Sequence, residues 1–481
     1  MRRLSISAAR AGTACSRFWR PCTGWSASRC LSSGPTGGPG ILRCWWPTAA
    51  RRAENSAGRR VTGRSRRSSR PRGAGIGAPG TERDPAGAEV VIFVSDWHTP
   101  SPGGSRRSAA RAGSSQTGGC VTQFWGLPAG LLVCAISLWW LIPRAGSLGL
   151  IDHPGGRKDH CVPVPVVGGV AIWLGLAAGA VGSELLPGLA ALLLAGAVLV
   201  ALGVIDDRRD LGWRIRILTQ MAAATLLVYA GDALLTRLGE GYPVLQLGWF
   251  GWPFSVFAIV GLINALNMID GVDGLAGSLT LTSLLAMLAL AVHGDADHLV
   301  LPLLLCSGVV CVFLAANLRL PGRPRALTFM GNSGSALLGL LLAWAAIRLT
   351  AEGQSTITPA LGPWLVALPI VDCLGLIVLR LVDGRSPFSA DRGHLHHLLL
   401  DRGWSVGVLV LTAVSAQLGL ATLGLVLHKA GVSDLALIGL FLLLVLGHVA
   451  LLLLLKARNG RSARLTAAAV LLDEGGSRLG R

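Results

Sequence analysis

In the stretch "NALNMIDGVDGLAGS" an apolar run ends in Asn264, Asn267, Asp270 and Asp273, spaced by threes and interrupted by Gly271, Gly274 and Gly277. Two carboxylates three apart share a helix face, whereas the glycines favour an irregular turn or a close backbone approach to a ligand. Each amide both donates and accepts, as recognition of a nucleobase or a sugar amide requires. A helix cap needs one such residue rather than four, so the group points to function. A second acidic group, Asp206 and Asp207 in "VIDDRRD", closes another apolar run. Adjacent carboxylates repel unless a cation or basic group is near, which suggests Mg2+ or proton transfer; the plainer alternative is a solvated helix end neutralised by Arg208 and Arg209.

Three further stretches add polar groups. "FMGNSGSALLG" sets Asn332, Ser333 and Ser335 among glycines ahead of an apolar run, where helical N–H groups could receive a phosphate. "SPFSADRGHLHHLLLDRG" carries Arg392, His394, His396 and His397. Zinc is one use for three histidines, but no cysteine lies beside them, and a cationic clamp on a diphosphate is the better reading. "DHPGGRKDHCVPVPVVGG" holds Arg157, Lys158 and His160, either as charge anchors of a membrane loop or as partners of an anionic substrate.

The elements that must position these residues are membrane spans. The chain has 481 residues, 52% of them hydrophobic and 14% charged, which excludes an ordinary soluble domain. Crossing an apolar core of about 30 Å takes about 20 helical residues. Suitable segments fall near 123–143, 166–184, 186–205, 215–231, 249–265, 276–292, 299–316, 333–350, 361–381, 407–427 and 434–455. None alternates as a barrel strand would. The expectation is an all-α polytopic integral membrane protein of about eleven helices. Arg and Lys concentrate in the loops after odd-numbered helices and avoid "HGDADH" and "TAEGQSTITP". By the positive-inside rule the membrane domain begins outside, and every polar loop named above is cytoplasmic.

The net charge of +18 is not a nucleic-acid signal, because 20 arginines against five acidic residues place +15 of it in residues 1–120. That leader, rich in Arg, Ser, Gly and Pro, is expected to be disordered. It lacks the apolar core of a secretory signal, and its Arg usage without Lys resembles unselected upstream coding more than an anionic-partner arm or a transit peptide. Residues 121–456 form the expected membrane domain and 457–481 a cytoplasmic tail. No C-x-x-C pair signals zinc or disulfides, and Cys134, Cys306, Cys311 and Cys373 are expected to pack as small apolar groups.

Taken in order, "DHPGGRKDH…PVPVVGG", "GVIDDRRD", "NALNMIDGVDGLAG", "FMGNSGS" and "SPFSADRGHLHHLLL" resemble the polyprenyl-phosphate N-acetylhexosamine-1-phosphate transferases over residues 123 to 455. The likeness is to the UDP-GlcNAc: undecaprenyl-phosphate GlcNAc-1-phosphate transferase branch of glycosyltransferase family 4. "HLHHLLL" fits that branch better than the sister phospho-MurNAc-pentapeptide translocases, which carry three consecutive histidines. The resemblance implies eleven helices with the N-terminus outside. It implies Mg2+, with Mn2+ as a substitute, held by Asp206, Asp207 and position 332, and catalytic roles for Asp206, Asp207, Asp270 and Asp273. It also implies substrate contacts from Asn264, Asn267, Arg392, His394, His396, His397, Arg157, Lys158 and His160. The family commonly has Asp where this chain has Asn332, which keeps a carbonyl oxygen but loses a charge.

The implied partners are a UDP-N-acetylhexosamine, a polyprenyl phosphate, the bilayer and a second copy in a homodimer, with no nucleic acid. The implied location is a bacterial inner membrane, where the product begins a cell-envelope polysaccharide. Direct attack by the lipid phosphate, with Asp206 or Asp207 as base, is preferred over a covalent enzyme intermediate. An ion-coupled transporter is the rival class, but it would carry its charges near the midplane of repeated halves rather than at helix ends.

Overall fold

The computed structural model describes residues 119–153, 162–294, 296–350, 357–386 and 393–479. The leader up to residue 118, the expected substrate contacts Arg157, Lys158 and His160, and Arg392 lie outside these residues.

Thirteen α-helices occur among the described residues. They are α1 (Gly119–Arg144), α2 (Gly168–Gly182), α3 (Leu186–Arg209), α4 (Trp213–Ala230), α5 (Gly251–Ile269), α6 (Leu275–His293) and α7 (Asp297–Asn317). After these come α8 (Gly331–Thr350), α9 (Gly362–Leu365), α10 (Ala367–Val382), α11 (Leu395–Leu400), α12 (Val406–Lys429) and α13 (Asp434–Leu479). Each of the eleven expected segments coincides with a helix, or, at 361–381, with the pair α9 and α10, bent by 85° at Val366. Among the described residues eight helices are long and apolar enough to cross a membrane, or nine spans if the bent pair is one. Of the eleven expected segments the exceptions are α2, with 15 residues, and α4, with 18. This is the architecture of a polytopic membrane protein.

One local departure from the all-α expectation is a two-residue antiparallel ladder, Ile151 opposite Pro165 and Asp152 opposite Val164. Pro163 and Pro165 bar a helix there and leave the backbone extended. Beyond it, Phe329 N–H donates to Pro165 O at 2.8 Å and Gly168 N–H to Phe329 O at 3.1 Å. The hairpin is thereby stitched to the "FMGN" stretch.

At the centre stands α8, buried at every position from Ser333 to Thr350 except Arg348. On the outer helices the greasy side chains face outward: Leu411 and Val426 on α12 and Leu442 and Leu446 on α13 are exposed, as lipid contact requires. Three of the four cysteines expected in packing positions, Cys134, Cys306 and Cys373, are buried; Cys311, on α7, is exposed instead.

Glycines allow the other helices to reach α8. A Cβ on Gly203 would lie 2.3 Å from Ser333 Cα, and one on Gly339 would lie 2.5 Å from Ile263 Cα. Small residues that let backbones touch are the usual device of helix packing in lipid. Gly203 matters most, because it precedes Asp207 by one turn and Ser333 follows Asn332. Gly203→Ala is expected to separate α3 from α8 and cost about 1–3 kcal/mol of stability. Gly188→Ala on the same helix, where a Cβ meets nothing within 4 Å, is the control. Thermal melting in detergent distinguishes them.

Candidate active site

Of the polar residues singled out in the sequence, Asp207, Asn267, Asn332 and Ser335 converge where the C-terminal ends of α3 and α5 meet the start of α8. Asp207, in the last turn of α3, accepts a hydrogen bond through Oδ1 from Asn332 N–H at 3.0 Å. Asn267, in the last turn of α5, donates through Nδ2 to Asn332 Oδ1 at 3.2 Å and to Ser335 Oγ at 2.8 Å. Three helix ends are thus joined through one residue, so these ends lie on one face of the bundle. Gly331, at φ 72°, makes the sharp entry into α8. A Cβ on it would come within 2.5 Å of Asp207 Oδ2, so both the backbone and the space demand glycine.

The four acidic residues divide into two kinds. Asp206 is buried and turned away from α8: its Oδ1 accepts from Leu211 N–H at 2.6 Å and its Oδ2 lies 3.4 Å from Arg216 Nη1 on α4. Asp273 accepts from Arg319 Nε at 2.7 Å. These two are neutralised by arginines and hold the turns on either side of the site. Asp207 Oδ2 is different, being buried with no hydrogen-bond partner among the described residues. Asp270, half-buried in the turn after α5, is pushed up to about 7 by burial and then by the like charges of Asp207 and Asp273.

The donor set fits a divalent hard cation. Asp207 offers an unmade oxygen contact in a buried position, and Asp207 and Asp270 repel each other across the same space. A cation between them would satisfy both conditions, and carboxylate and amide oxygens are the ligands Mg2+ takes. Asn332 stands beside Asp207, but its side-chain oxygen already receives the Asn267 amide.

Asn264 is placed differently from its neighbours. It donates to Gln220 Oε1 on α4 at 2.6 Å and to Val260 O at 2.8 Å, which ties α5 to α4. The turn between α5 and α6 is held by Asn317, which accepts from Gly274 N–H at 2.9 Å and donates to Thr328 O at 2.9 Å.

The histidine segment closes the other side. His394 and His396 are stacked at 5.3 Å, and His396 and His397 lie 4.3 Å apart. A Cβ on Gly271 would meet His396 Nε2 at 3.0 Å and His397 Nε2 at 3.8 Å. The imidazoles of His396 and His397 therefore stand directly on the Asp270–Gly271 turn.

Sequence reasoning did not single out Arg216, Gln220, Asn317, Arg319, Asp372 or His448. Asp372, a lone carboxylate in "LPIVDCLGLIV", had a signal available, since an ionisable residue inside an apolar segment is expensive and marks a site. The others carry no local pattern.

Comparison with known proteins accords with this geometry. The model of "Glycosyl transferase family 4" matches residues 189–350, which include most of α3 and all of α5 and α8. An "Undecaprenyl-phosphate alpha-N-acetylglucosaminyl 1-phosphate transferase" of Escherichia coli O157:H7 is 33% identical over 297 residues, 61% of this chain and 80% of the relative. The protein of the same name from Yersinia pestis is 33% identical over 284 residues, covering 58% and 77%. That from Haemophilus influenzae is 34% identical over 313 residues, covering 63% and 87%. Identity at that level over four-fifths of a relative's length assigns this chain to glycosyl transferase family 4.

Proposed function

We propose that the protein transfers N-acetylhexosamine-1-phosphate, most simply GlcNAc-1-phosphate, from a UDP-sugar to a polyprenyl phosphate, releasing UMP. The observation that carries this reading is the pair Asp207 and Asp270 where three helix ends meet, Asp207 Oδ2 being buried with no hydrogen-bond partner among the described residues and Asp270 crowded by like charges, in a chain whose relatives bear the name of that reaction. In the same reading all eleven expected segments cross a bacterial inner membrane, the N-terminus of the membrane domain lies outside, and the site faces the cytoplasm. The soluble nucleotide sugar and the lipid acceptor can meet only at such a membrane edge.

Asp207 and Asp270 would hold Mg2+, which when bound offsets the negative charge of the transferring phosphoryl group. An oxygen of the lipid phosphate attacks the sugar-bearing phosphorus of the UDP-sugar. The bond from that phosphorus to the bridging oxygen breaks, and UMP leaves with the electron pair. A phosphate monoester loses its second proton near pH 6, so at neutral pH the attacking oxygen needs little help from a base. Asp206, committed to Arg216 and Leu211, is left in a supporting role. His396 and His397, on the Asp270–Gly271 turn with His394 stacked against His396, supply hydrogen-bond donors for the diphosphate.

Membranes containing the protein, given UMP and labelled lipid-linked product, are expected to release labelled UDP-GlcNAc. Absence of that exchange, with lipid and Mg2+ present, would refute the transferase.

A further inference from the structure

Asp372 lies inside the apolar helix α10, only 3% exposed, and accepts hydrogen bonds from three directions. His394 Nδ1 approaches its Oδ2 at 2.8 Å, while Leu395 N–H and His448 Nε2 approach its Oδ1 at 3.1 and 3.3 Å. His448 comes from α13, and it can reach Asp372 because Gly375, one turn along α10, has no side chain: a Cβ there would lie 2.9 Å from His448 Cδ2. His394 and His448 are themselves buried, at 6% and 7% exposure. A carboxylate only accepts, so the imidazole nitrogen facing it carries the proton, and His394 is fixed in both tautomer and ring orientation.

The contact is relayed onward. His394 is stacked on His396, and His396 stands on Gly271 beside Asp270. Asp372 touches none of the groups proposed to bind the cation, yet it fixes the first imidazole of a row that ends at them. Burying a carboxylate in an apolar helix carries a large desolvation cost, which three donors offset. Packing alone would be served better by an apolar residue.

We propose that Asp372 is a positioning residue for the nucleotide-sugar side of the reaction. With His448 it forms a clamp from α10 and α13 that sets His394, and through it His396 and His397, over the Asp270–Gly271 turn. Several imidazole donors spread over one turn match the spaced oxygens of a diphosphate better than a single phosphate. This inference rests on the transferase reading given above.

The test uses the purified full-length protein and two variants, Asp372→Asn and His448→Gln. Asn keeps the shape but turns a donor toward one of the two imidazole N–H groups. Asp372→Asn is expected to raise KM for the UDP-sugar about tenfold or more, as for loss of a hydrogen bond to a charged group, with KM for the polyprenyl phosphate unchanged. His448→Gln is expected to raise the same KM by less, because Asp372 still holds His394; it carries the test if Asp372→Asn does not accumulate. Equal losses for both substrates with a lowered melting temperature would make Asp372 merely structural and overturn the proposal. So would a rise in KM confined to the lipid, or no change at all. Stoichiometric zinc in the wild type, lost in Asp372→Asn, would also overturn it, since ligand atoms of Asp372, His394 and His396 lie within 4.8 Å of one another. A wild type that forms no UMP fails the transferase reading itself, and that result is known before any variant is compared.

Discussion

Asp207→Asn is expected to lower kcat/KM by about a thousandfold, the rate equivalent of several kcal/mol of lost charge stabilisation, while leaving the melting temperature near that of the wild type. The Asn332 N–H bond to Oδ1 survives the change, because an amide oxygen also accepts. What disappears is the charge on an oxygen that has no hydrogen-bond partner among the described residues. Asp206→Asn, one residue away, is expected to act in the opposite manner. It weakens the pair with Arg216 and costs on the order of 1–3 kcal/mol of stability, while activity falls far less than in Asp207→Asn. The cost stays modest because the Arg216 side chain is 37% exposed and regains water. Steady-state kinetics beside thermal melting decide the matter. Loss of activity in Asp206→Asn as deep as in Asp207→Asn, without loss of stability, would assign the two carboxylates a shared role.

Asp270 sets the second large effect, on the pH dependence of metal use. Its carboxyl titrates near 7 in the cation-free fold, and a cation must displace the proton to bind. The half-saturating Mg2+ concentration is therefore expected to rise by up to about tenfold for each pH unit below 7, and to be flat above about 8. Asp270→Asn abolishes that slope and loses activity on the scale of Asp207→Asn. The stability linkage has a definite sign. A carboxyl raised from 3.8 to about 7 contributes stability that is full below about pH 4 and is lost as pH rises through about 7. In EDTA the melting temperature is expected to fall between these limits, and Mg2+ at pH 8 is expected to restore it. A melting temperature indifferent to Mg2+ at pH 8 would argue against a cation beside Asp270.

The proposed roles of the two acidic pairs also separate what a sequence motif records from what it means. "VIDDRRD" and "NALNMIDGVDGLAG" mark four carboxylates alike, and the resemblance to known transferases offers catalytic roles to all four. Among the described residues one member of each pair is bonded to an arginine, Asp206 to Arg216 and Asp273 to Arg319, and the other is not. The neutralised members anchor the turns from which Asp207 and Asp270 extend. Arginines that hold Asp206 and Asp273 also keep the total charge of the site low enough for an anionic substrate to approach.

The sequence by itself determined the helices and the face on which the chemistry lies. Hydropathy is summed over neighbours in the chain, so all eleven expected segments are helical, and the polar motifs at their ends had to gather where those ends meet. Local chemistry also fixed the turns: Gly331 has the positive φ that its place before α8 requires. Tertiary structure alone decided which carboxylate is open. Asp206 and Asp207 are adjacent, but a helix turns about 100° per residue, so one points to Arg216 and the other to Asn332, 125 positions away. Asn264 and Asn267, three apart, diverge in the same way, toward Gln220 and toward Asn332. The Asp372 clamp brings together residues 22 and 76 positions apart. Hydropathy sets where a segment lies in the membrane but not which neighbour its polar side chain meets; helix packing sets that, through contacts such as Gly203 against Ser333.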